Sequence, residues 1–414
     1  MIEISSRAMA IKESVTLKLN EKAVILAEKG RKIYNLTAGQ LPFKPHPQLL
    51  ESLQRGLVPL KSFQYTAVAG VAGLRKKFIE YIKQSRRLES ELVDFGCVVS
   101  NGAKHSIDNI IGCIVNPGDE VIVLAPYWVS YPEMIRCWEG VPVEIASKKQ
   151  DNFLPKVEDI AKRINNKTKA IIINSPNNPA GITYPQEWMK RFTDMIADVV
   201  FEYPKITLIS DEIYFELTYD NSRPTYHYQF NHKLLERTVI VDGISKSLAC
   251  TGLRIGYCLA PKHLAAAVEK LQAQTTSGAN ALVQHSLVDF DFGQMENFLN
   301  PIRTHLSNNA QIVKKVFGGA GNGGKGLAEC WYPINSAFYF LIDFSVTPVF
   351  SRYARSNTSG NDYSAEICHD LLEQKGIALV PGSDFGVPNS GRISLVLEEK
   401  EFTEAMNILA KFLS

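Results

Sequence analysis

The sequence lacks any CxxC pair, although it contains seven cysteines. These are Cys97, Cys113, Cys137, Cys250, Cys258, Cys330 and Cys368. An odd, dispersed set in a chain of 414 residues favours reduced thiols over a disulfide framework or a zinc site. The first residues also lack the basic and then apolar pattern of a secretion signal. Both observations predict a cytoplasmic protein.

The chain also lacks an excess of charge of either sign, since 45 Lys and Arg against 43 Asp and Glu leave a net charge of +2. Without a basic domain or polybasic tail, nucleic acid and anionic membranes are poor partners. No apolar run reaches the length of about 20 residues that a membrane span needs. A composition of 45% hydrophobic and 21% charged residues is typical of a globular protein.

The middle of the chain alternates strand-length apolar runs with helix-like segments. The predicted strands are 96–100, 120–124, 141–145, 170–174, 207–210, 238–242 and 254–260. The predicted helices are 20–30, with Asn20 as its N-cap, 104–115, 129–138, 157–164 and 186–201. Apolar strands that alternate with helices predict an α/β fold with a mostly parallel sheet covered on both faces. Ligands of such sheets bind beyond the carboxyl ends of the strands.

The last third of the chain has a different order of elements and predicts a smaller second domain. A long helix after about residue 295 is followed by predicted strands near 337–344, 377–380 and 392–396 and by a final helix, 400–412. We assign residues 1–48 to an N-terminal arm and part of the small domain. Residues 49–296 then form the large domain, and residues 297–414 form the small α+β domain.

Lys246 is the most informative residue, because it follows the apolar run 238–242 almost directly. Partial desolvation favours the neutral, nucleophilic amine, which can condense with an aldehyde. Arg254, eight residues later, could hold a phosphate through a charge-assisted fork. A lysine with a phosphate clamp is what a pyridoxal-phosphate enzyme requires. A lysine after a strand is also commonly a surface residue, so the segment needs support from elsewhere.

Two further polar groups follow the predicted strand 207–210. The Asp211 carboxylate could pair with a protonated pyridine nitrogen, or it could cap the following turn. The Tyr214 phenol could lie at the same site or pack in the core. Asn178, in a turn rich in Asn, Pro and Gly, could donate to an oxygen in the site or serve only the turn.

The remaining candidates also lie next to predicted strands. Trp128 follows strand 120–124 and could stack on a flat cofactor or fill the core. The backbone amides at 102–104, where a helix begins, could bind a phosphate. Arg392, at a strand start, could grip a carboxylate bidentately or form an ordinary surface ion pair.

In this order, these motifs resemble the class I aminotransferases, which are fold-type-I pyridoxal-phosphate enzymes. The resemblance runs from about Ser14 to the C-terminus. It is carried by residues 65–75, 116–132, 175–181, 211–214 and 381–386. It implies a large domain with a mostly parallel seven-stranded sheet, a small α+β domain, bound pyridoxal 5'-phosphate and a homodimer with shared active sites.

The resemblance also implies a role for each candidate. Lys246 would bond to the cofactor and move protons, Asp211 would hold the ring nitrogen, and Tyr214 would bind the ring hydroxyl oxygen. The other implied cofactor ligands are Asn178 at the same oxygen, Trp128 on the ring, and Arg254, Gly102, Ala103, Lys104 and Tyr65 of the partner subunit at the phosphate. Arg392 would bind the substrate α-carboxylate, and Gly39 would close over it.

Lys104 bears on the substrate, because one subgroup of the family uses a lysine here to recognise the distal carboxylate of aspartate or glutamate. With residues 126–131 it resembles the bacterial aspartate aminotransferases, some of which accept prephenate. We therefore expect a ping-pong transfer from an acidic amino acid to a 2-oxo acid. The alternatives are an aminotransferase for aromatic amino acids or prephenate, a carbon–sulfur β-lyase and a non-catalytic regulatory protein.

Two departures from the family pattern bear on this expectation. Gln40 and Leu41 stand where the family usually has Glu and Pro, which removes an acid and adds bulk near the entrance. Gly243 stands three residues before Lys246, where many relatives carry a hydroxyl that binds the phosphate. Phosphate binding is therefore expected to depend more on Arg254 and the backbone amides.

Overall fold

The structure is a computed structural model, and it describes residues 2–11, 15–88, 92–219, 223–318, 327–356 and 361–414, with the side chains of 15–17 and 355–356 left out. Its strands are β1 (Tyr34–Asn35), β2 (Phe95–Ser100), β3 (Glu120–Leu124), β4 (Val141–Ile145), β5 (Thr168–Asn174), β6 (Thr207–Asp211), β7 (Thr238–Gly243), β8 (Gly256–Pro261), β9 (Tyr339–Asp343), β10 (Ile377–Ala378), β11 (Val380–Pro381) and β12 (Ser390–Ser394).

The helices surround these strands. They are α1 (Ser6–Ala10), α2 (Val15–Glu28), α3 (Pro47–Gly56), α4 (Ala72–Arg86), α5 (Ala103–Ile114), α6 (Ser130–Cys137), α7 (Val157–Arg163), α8 (Gln186–Glu202), α9 (His227–Phe230), α10 (Ile244–Ser247), α11 (Lys262–Thr275), α12 (Ala281–Val288), α13 (Glu296–Phe317), α14 (Phe350–Ser356), α15 (Ser364–Lys375) and α16 (Glu399–Leu413). Short 3-10 turns lie at Leu60–Phe63, Lys149–Asp151, His232–Arg237, Thr251–Leu253, Phe292–Gln294, Ala328–Cys330 and Gly382–Phe385.

Seven strands form the main sheet in the order β2-β8-β7-β6-β5-β3-β4. All run in one direction except β8, which is antiparallel to both β2 and β7. The prediction of an α/β fold with a mostly parallel seven-stranded sheet is confirmed. Within the described ranges, no helix combines the length and the apolar character that crossing a bilayer demands.

The strands of this sheet are apolar because both of its faces are buried. In β5, Ile171 and Ile173 belong to the larger hydrophobic core, whereas Ala170 and Ile172 belong to a second core on the opposite face. Successive side chains of a strand point to opposite faces, so a strand between two layers of helices needs apolar residues throughout. The polar residues therefore follow the strands, at their carboxyl ends.

The C-terminal elements form a separate three-stranded antiparallel sheet in the order β11-β12-β9. Helix α13 packs against α16 beside it, and the two-residue strand β1 pairs in parallel with β10. Residues near the N-terminus are thus joined to the C-terminal part of the chain. The domain limits at residues 48 and 296 stay a prediction.

Several predicted boundaries were wrong, and three of them concern residues discussed below. The predicted strand 392–396 is β12 at Ser390–Ser394, so Arg392 is in the middle of the strand and not at its start. The first long helix begins at Val15, so Asn20 lies inside α2 and is not its cap. The Asn20 side-chain oxygen accepts hydrogen bonds from Asn35 and Thr37, and this tertiary contact takes the place of capping. Strand β8 begins at Gly256 because Arg254, with a φ of 53°, is in a left-handed turn conformation just before it.

Candidate active site

A cavity of about 870 Å³ lies at the carboxyl ends of the parallel strands. Ten of the twelve predicted site residues line it: Gly39, Ala103, Lys104, Trp128, Asn178, Asp211, Tyr214, Lys246, Arg254 and Arg392. The other two are Gly102, which lies beside Arg254, and Tyr65, which does not reach the cavity. Sequence motifs separated by up to 353 positions, from Gly39 to Arg392, therefore meet in one place.

Lys246 enters the cavity from α10, the single helical turn that follows β7. Its Nζ donates to the Gly39 carbonyl and lies 5.3 Å from the centre of the Phe338 ring. Burial lowers the pKa of Lys246 to about 8, and the positive charges of Arg392 and Arg254 act in the same direction. This amine can lose its proton near neutral pH, as a nucleophile or general base requires.

Asp211 is the last residue of β6, and its carboxylate is buried. The Tyr131 hydroxyl donates to Oδ2 over 2.5 Å, and the Ile213 amide donates to Oδ1 over 3.3 Å. Burial raises the pKa of Asp211 to about 6, although the Tyr131 hydrogen bond opposes this rise. The carboxylate is held in one orientation and is ready to pair with a cationic group.

Asn174 and Asn178 connect β5 to this carboxylate. Asn174 is paired with Asp211 across the two strands, and its Nδ2 donates to the Asp211 carbonyl over 3.0 Å. Its Oδ1 accepts from the Asn178 amide, also over 3.0 Å, which fixes the turn that presents the Asn178 side chain. Sequence reasoning missed Asn174, although a polar residue at the end of an otherwise apolar strand is a usable signal.

Tyr214 is buried against a second phenol that sequence reasoning also missed. Its hydroxyl lies 3.2 Å from that of Tyr339 on β9. Burial raises the pKa of Tyr214 well above the usual value for tyrosine, and the neighbouring Tyr339 adds to this effect. Tyr214 therefore stays protonated and can donate to an oxygen in the cavity.

Arg392, on β12, is buried between the rings of Tyr339 and Phe385, at 4.6 and 5.0 Å from their centres. Its Nη2 donates to the Thr37 carbonyl over 2.8 Å and its Nη1 to Asn178 Oδ1 over 3.3 Å. Its Nε is buried without a partner. No carboxylate within the described part of the chain forms an ion pair with it, so it is a desolvated cation suited to an anionic ligand.

A second cationic position lies where α5 begins. Arg254 donates to the carbonyls of Thr251 and Asn101 over 2.8 and 3.2 Å, and it packs against Gly102. A Cβ at Gly102, where φ is +89°, would lie 2.5 Å from Arg254 Nη2. A side chain at residue 102 would therefore force the guanidinium to move, in a backbone conformation that residues other than glycine rarely adopt.

Of the three amides expected at the phosphate, that of Gly102 already donates to the Ser100 carbonyl over 2.7 Å. The tight turn that brings Gly102 to positive φ also aims its N–H back at the strand. The amides of Ala103 and Lys104 head the helix, where N–H groups have no acceptor inside the helix. An anion beside Arg254 would meet these two amides.

Lys104 and Trp128 also line the cavity. The Lys104 Nζ lies 5.2 Å from the centre of the Trp128 ring, which meets Tyr131 edge to face at 5.5 Å. Burial lowers the pKa of Lys104, and Arg254 contributes to this lowering. Lys104 is thus a partly desolvated cation beside a flat aromatic surface.

The residues at the entrance differ in their placement. Leu41 is buried in the core, so its bulk does not enter the cavity. Gln40 Oε1 lies 3.4 Å from Thr251 Oγ1. Tyr65 is 98% exposed, and its expected role in the neighbouring active site stays a prediction.

These features fit pyridoxal 5'-phosphate. The cavity has an amine with a lowered pKa, a buried carboxylate for a pyridinium nitrogen and an anion position at a helix start next to Arg254. The hydroxyl of Tyr214 and the side-chain amide of Asn178 belong to the same cavity wall. Each charged part of the cofactor therefore has a matching group among the lining residues.

Comparison with known proteins identifies the class. The family model for class I and II aminotransferases matches residues 31–409, so the chain belongs to this family and is a transaminase. It is 31% identical to the probable aspartate/prephenate aminotransferase of Thermus aquaticus over 99% of both chains. It is 28% identical to an asparagine–oxo-acid transaminase of Streptococcus mutans over 100% of both. The solved aspartate aminotransferase from Thermus thermophilus with maleate superposes with a TM-score of 0.86 at 31% identity, over 100% of both chains.

Proposed function

We propose that this aminotransferase binds pyridoxal 5'-phosphate and transfers the amino group of aspartate or glutamate to 2-oxoglutarate or oxaloacetate by a ping-pong mechanism. The observation that carries the proposal is the placement of two desolvated cations, Arg392 and Lys104, on the wall of the cavity that holds Lys246. An acidic amino acid has two carboxylates, and each cation offers a place for one of them.

The bound cofactor supplies an aldehyde that reacts with amines and a ring that accepts the electron pair left when the α-proton departs. Lys246 would accept that proton at Nζ and pass it on, which its pKa of about 8 permits near neutral pH. Asp211, held by Tyr131, would pair with the protonated ring nitrogen. Tyr214 and Asn178 would donate to the ring hydroxyl oxygen, and Arg254 with the Ala103 and Lys104 amides would hold the phosphate.

Substrate orientation depends on the fixed guanidinium of Arg392. Its contacts with Thr37, Asn178 and the Tyr339 ring hold its plane before a substrate arrives, so little order is lost on binding. Gly39 is two residues after Thr37 on the same segment, and its carbonyl accepts from Lys246. A substrate whose carboxylate binds the Arg392 guanidinium would therefore lie near Gly39, which has no side chain to obstruct it.

Lys104 would distinguish acidic substrates from neutral ones. Its ammonium is already partly stripped of water, so a substrate carboxylate at this position would give it a counter-charge. The solved Thermus thermophilus relative was obtained with maleate, a four-carbon dicarboxylate, which agrees with this class of substrate.

The exposed segment around Tyr65 supports a second copy of the chain as the partner. Leu57, Val58, Leu60 and Phe63 are between 57% and 85% exposed, and Tyr65 is exposed almost completely. A contiguous apolar surface of this kind marks a protein–protein contact. In a homodimer it would deliver Tyr65 of the partner subunit to the phosphate. The cytoplasm is the proposed location.

An aromatic amino acid or prephenate as the substrate is the second candidate. The cavity is large for a four-carbon diacid beside a cofactor, and Ile107 and Ile11 add apolar surface that a ring could contact. The Thermus aquaticus relative is a probable aspartate/prephenate aminotransferase. A carbon–sulfur β-lyase has no comparable support.

The decisive experiment is a half-reaction with purified holoprotein. The absorbance of the lysine-bound cofactor is followed while single amino acids are added. These are aspartate, glutamate, asparagine, phenylalanine, alanine, cystathionine and arogenate, which is the amino acid that corresponds to prephenate. Rapid loss of the band with aspartate and glutamate supports the acidic assignment, whereas a response only to the ring-bearing or neutral compounds contradicts it. Release of pyruvate and ammonia from cystathionine would indicate the lyase.

Lys104→Met provides the matching variant. We expect it to slow the half-reaction of aspartate but not that of alanine. Lys270→Met, which changes an exposed lysine of helix α11 away from the cavity, is the control. An equal loss for aspartate and alanine in Lys104→Met would contradict recognition of the distal carboxylate.

A further inference from the structure

Behind the active site, a fully buried arginine joins two neighbouring strands. Arg86 is the last residue of α4 and has no exposed surface. Its Nε donates to Glu212 Oε2 over 2.9 Å, and its Nη2 donates to Asp242 Oδ2 over 2.8 Å. The planar guanidinium thus spans two carboxylates at once, and its carbon lies 3.4 Å from the centre of the Phe215 ring.

The two carboxylates occupy informative positions in the chain. Glu212 directly follows Asp211 at the end of β6, and Asp242 lies on β7 four residues before Lys246. The strands are parallel neighbours, and the Glu212 amide donates to the Val241 carbonyl over 2.8 Å at the end of their ladder. Beyond this point the two segments are no longer paired, so hydrogen bonds between their backbones do not fix the spacing of the residues that follow.

Asp211 and Glu212 point in opposite directions, as successive residues of a strand do. The Asp211 carboxylate lines the cavity, whereas the Glu212 carboxylate lies on the side of α4. Arg86 therefore contacts the back of the segments that carry Asp211 and Lys246 without entering the cavity. Arg86 is not among the residues that line it.

The remaining oxygens of both carboxylates are also bonded. Glu212 Oε1 accepts from the hydroxyls of Tyr228 and Ser210 over 2.7 and 2.8 Å. Asp242 Oδ1 accepts from the Gly243 amide over 2.7 Å, at the turn into α10. A buried charged network whose members are all bonded holds one arrangement, because any other leaves a buried charge unpaired.

We infer that Arg86 is a positioning residue that sets the distance between Asp211 and Lys246 by clamping the segments behind them. The inference rests on the proposed function, in which these two groups hold opposite ends of one cofactor ring. Reacting groups displaced by about 1 Å can lose on the order of 100-fold in rate. A single guanidinium that spans both strand ends limits such displacement.

The test uses Arg86→Lys in the full-length holoprotein. An ammonium keeps the charge but is a point donor without the planar fork, so it cannot hold both carboxylates in the same geometry. Asp242→Asn is the second variant. Its side chain has one oxygen, so either the Gly243 or the Arg86 hydrogen bond is lost while the shape is kept.

Arg303→Lys is the matched control. Arg303 is a mostly buried arginine that donates to Glu216 and Glu296, and it contacts neither strand end. Its replacement removes a comparable fork in the same part of the molecule. Any effect of general destabilisation is therefore expected in all three variants, whereas an effect on the cofactor is expected in two.

Three quantities are measured: the dissociation constant of pyridoxal 5'-phosphate, the spectroscopic pKa of the lysine-bound cofactor and hydrogen exchange of the cofactor-free protein. We expect Arg86→Lys and Asp242→Asn to weaken cofactor binding about tenfold, as loss of a supporting residue behind a bound group typically does. Both should shift the spectroscopic pKa and speed exchange in peptides that cover 209–215 and 240–248. Arg303→Lys should change none of these.

Identical cofactor binding, spectroscopic pKa and exchange in Arg86→Lys and Arg303→Lys would overturn the clamp. If Arg86→Lys fails to fold, Asp242→Asn decides by the same criteria. If the unmodified protein forms no lysine-bound absorbance, the proposed function fails. The exchange data then still decide whether Arg86 holds the two strand ends.

Discussion

The Tyr131 hydroxyl donates a 2.5 Å hydrogen bond to Oδ2 of Asp211, and both groups are buried. The bond stabilises the ionised carboxylate and so works against the burial that raises its pKa to about 6. Tyr131 also meets the Trp128 ring edge to face, so one side chain contacts two groups of the proposed cofactor site.

Tyr131→Phe should therefore raise the pKa of Asp211. The carboxylate must be ionised to pair with a pyridinium nitrogen. As the pH is lowered, the variant should therefore lose activity at a higher pH than the unmodified enzyme does. A hydrogen bond to a charged group contributes about 1.5–3 kcal/mol, so cofactor binding should weaken about tenfold or more. A pH–rate profile and a cofactor titration measure both effects.

Tyr219→Phe is the control, since it removes a hydrogen bond to the Ala337 carbonyl and leaves Asp211 untouched. An acid limb that stays in place in Tyr131→Phe would contradict the role assigned to this phenol.

The pKa of Lys246 gives a second prediction. In cofactor-free protein, the rate of capture of the cofactor aldehyde should rise with pH and level off above about 8, because the neutral amine reacts. Arg392→Leu removes a cation that lowers this pKa, so the midpoint should move to higher pH. Asp211→Asn removes an anion that raises it, so the midpoint should move to lower pH.

Stopped-flow absorbance over a pH series measures the midpoints. Shifts of the two variants in the same direction, or a midpoint near the ordinary lysine value of 10.5 in the unmodified protein, would contradict this account.

Gly102→Ala should weaken binding of pyridoxal 5'-phosphate. The new Cβ would lie 2.5 Å from Arg254 Nη2, at a backbone φ of +89° that alanine rarely adopts. Capture of pyridoxal, which has no phosphate, should change little. Equilibrium titration with the two aldehydes separates the effects.

Gly252→Ala is the matched control, because a Cβ there would have no neighbour within 4 Å. If Gly102→Ala lost the same affinity for pyridoxal 5'-phosphate and for pyridoxal, the substitution would distort the site in general. That result would contradict a specific effect on phosphate binding.

Shared sites in a homodimer predict complementation between two defective chains. A heterodimer of Lys246→Ala and Tyr65→Ala subunits should contain one site with both native residues, so mixing should restore about a quarter of the native sites. Activity after denaturation and joint refolding is compared with that of each variant refolded alone. Activity no greater than the average of the two would show that Tyr65 acts within its own subunit or not at all.

The sequence predicted much of the fold because its strands are apolar and bounded by helices. β3 and β4 lie where expected, and the end of β5 was also as predicted. Cavity-lining residues such as Lys246 and Arg392 were found because each lies in or next to a strand in a recognisable motif, although Arg392 is in the middle of β12 and not at its start. The roles of these residues stay predictions that the experiments above address.

Other features depend on contacts between distant segments and could not be read from local patterns. Tyr131 and Tyr339 look like ordinary core residues until the fold brings them to Asp211 and Tyr214. Arg86 looks like a surface charge at a helix end, and only its two buried partners show otherwise. The engaged amide of Gly102 depends on a dihedral angle that composition does not reveal.

The reversed direction of β8 has a consequence for protein engineering. β7 delivers Lys246 to the active-site edge and β8 leaves from that edge, so Arg254 lies on the connection between them. The Lys246 amine and the Arg254 guanidinium, which is proposed to bind the phosphate, therefore belong to a single pair of antiparallel strands and their connection. Residues 238–261 could be grafted into a related scaffold as one cassette, whereas Asp211 would have to be provided by the recipient.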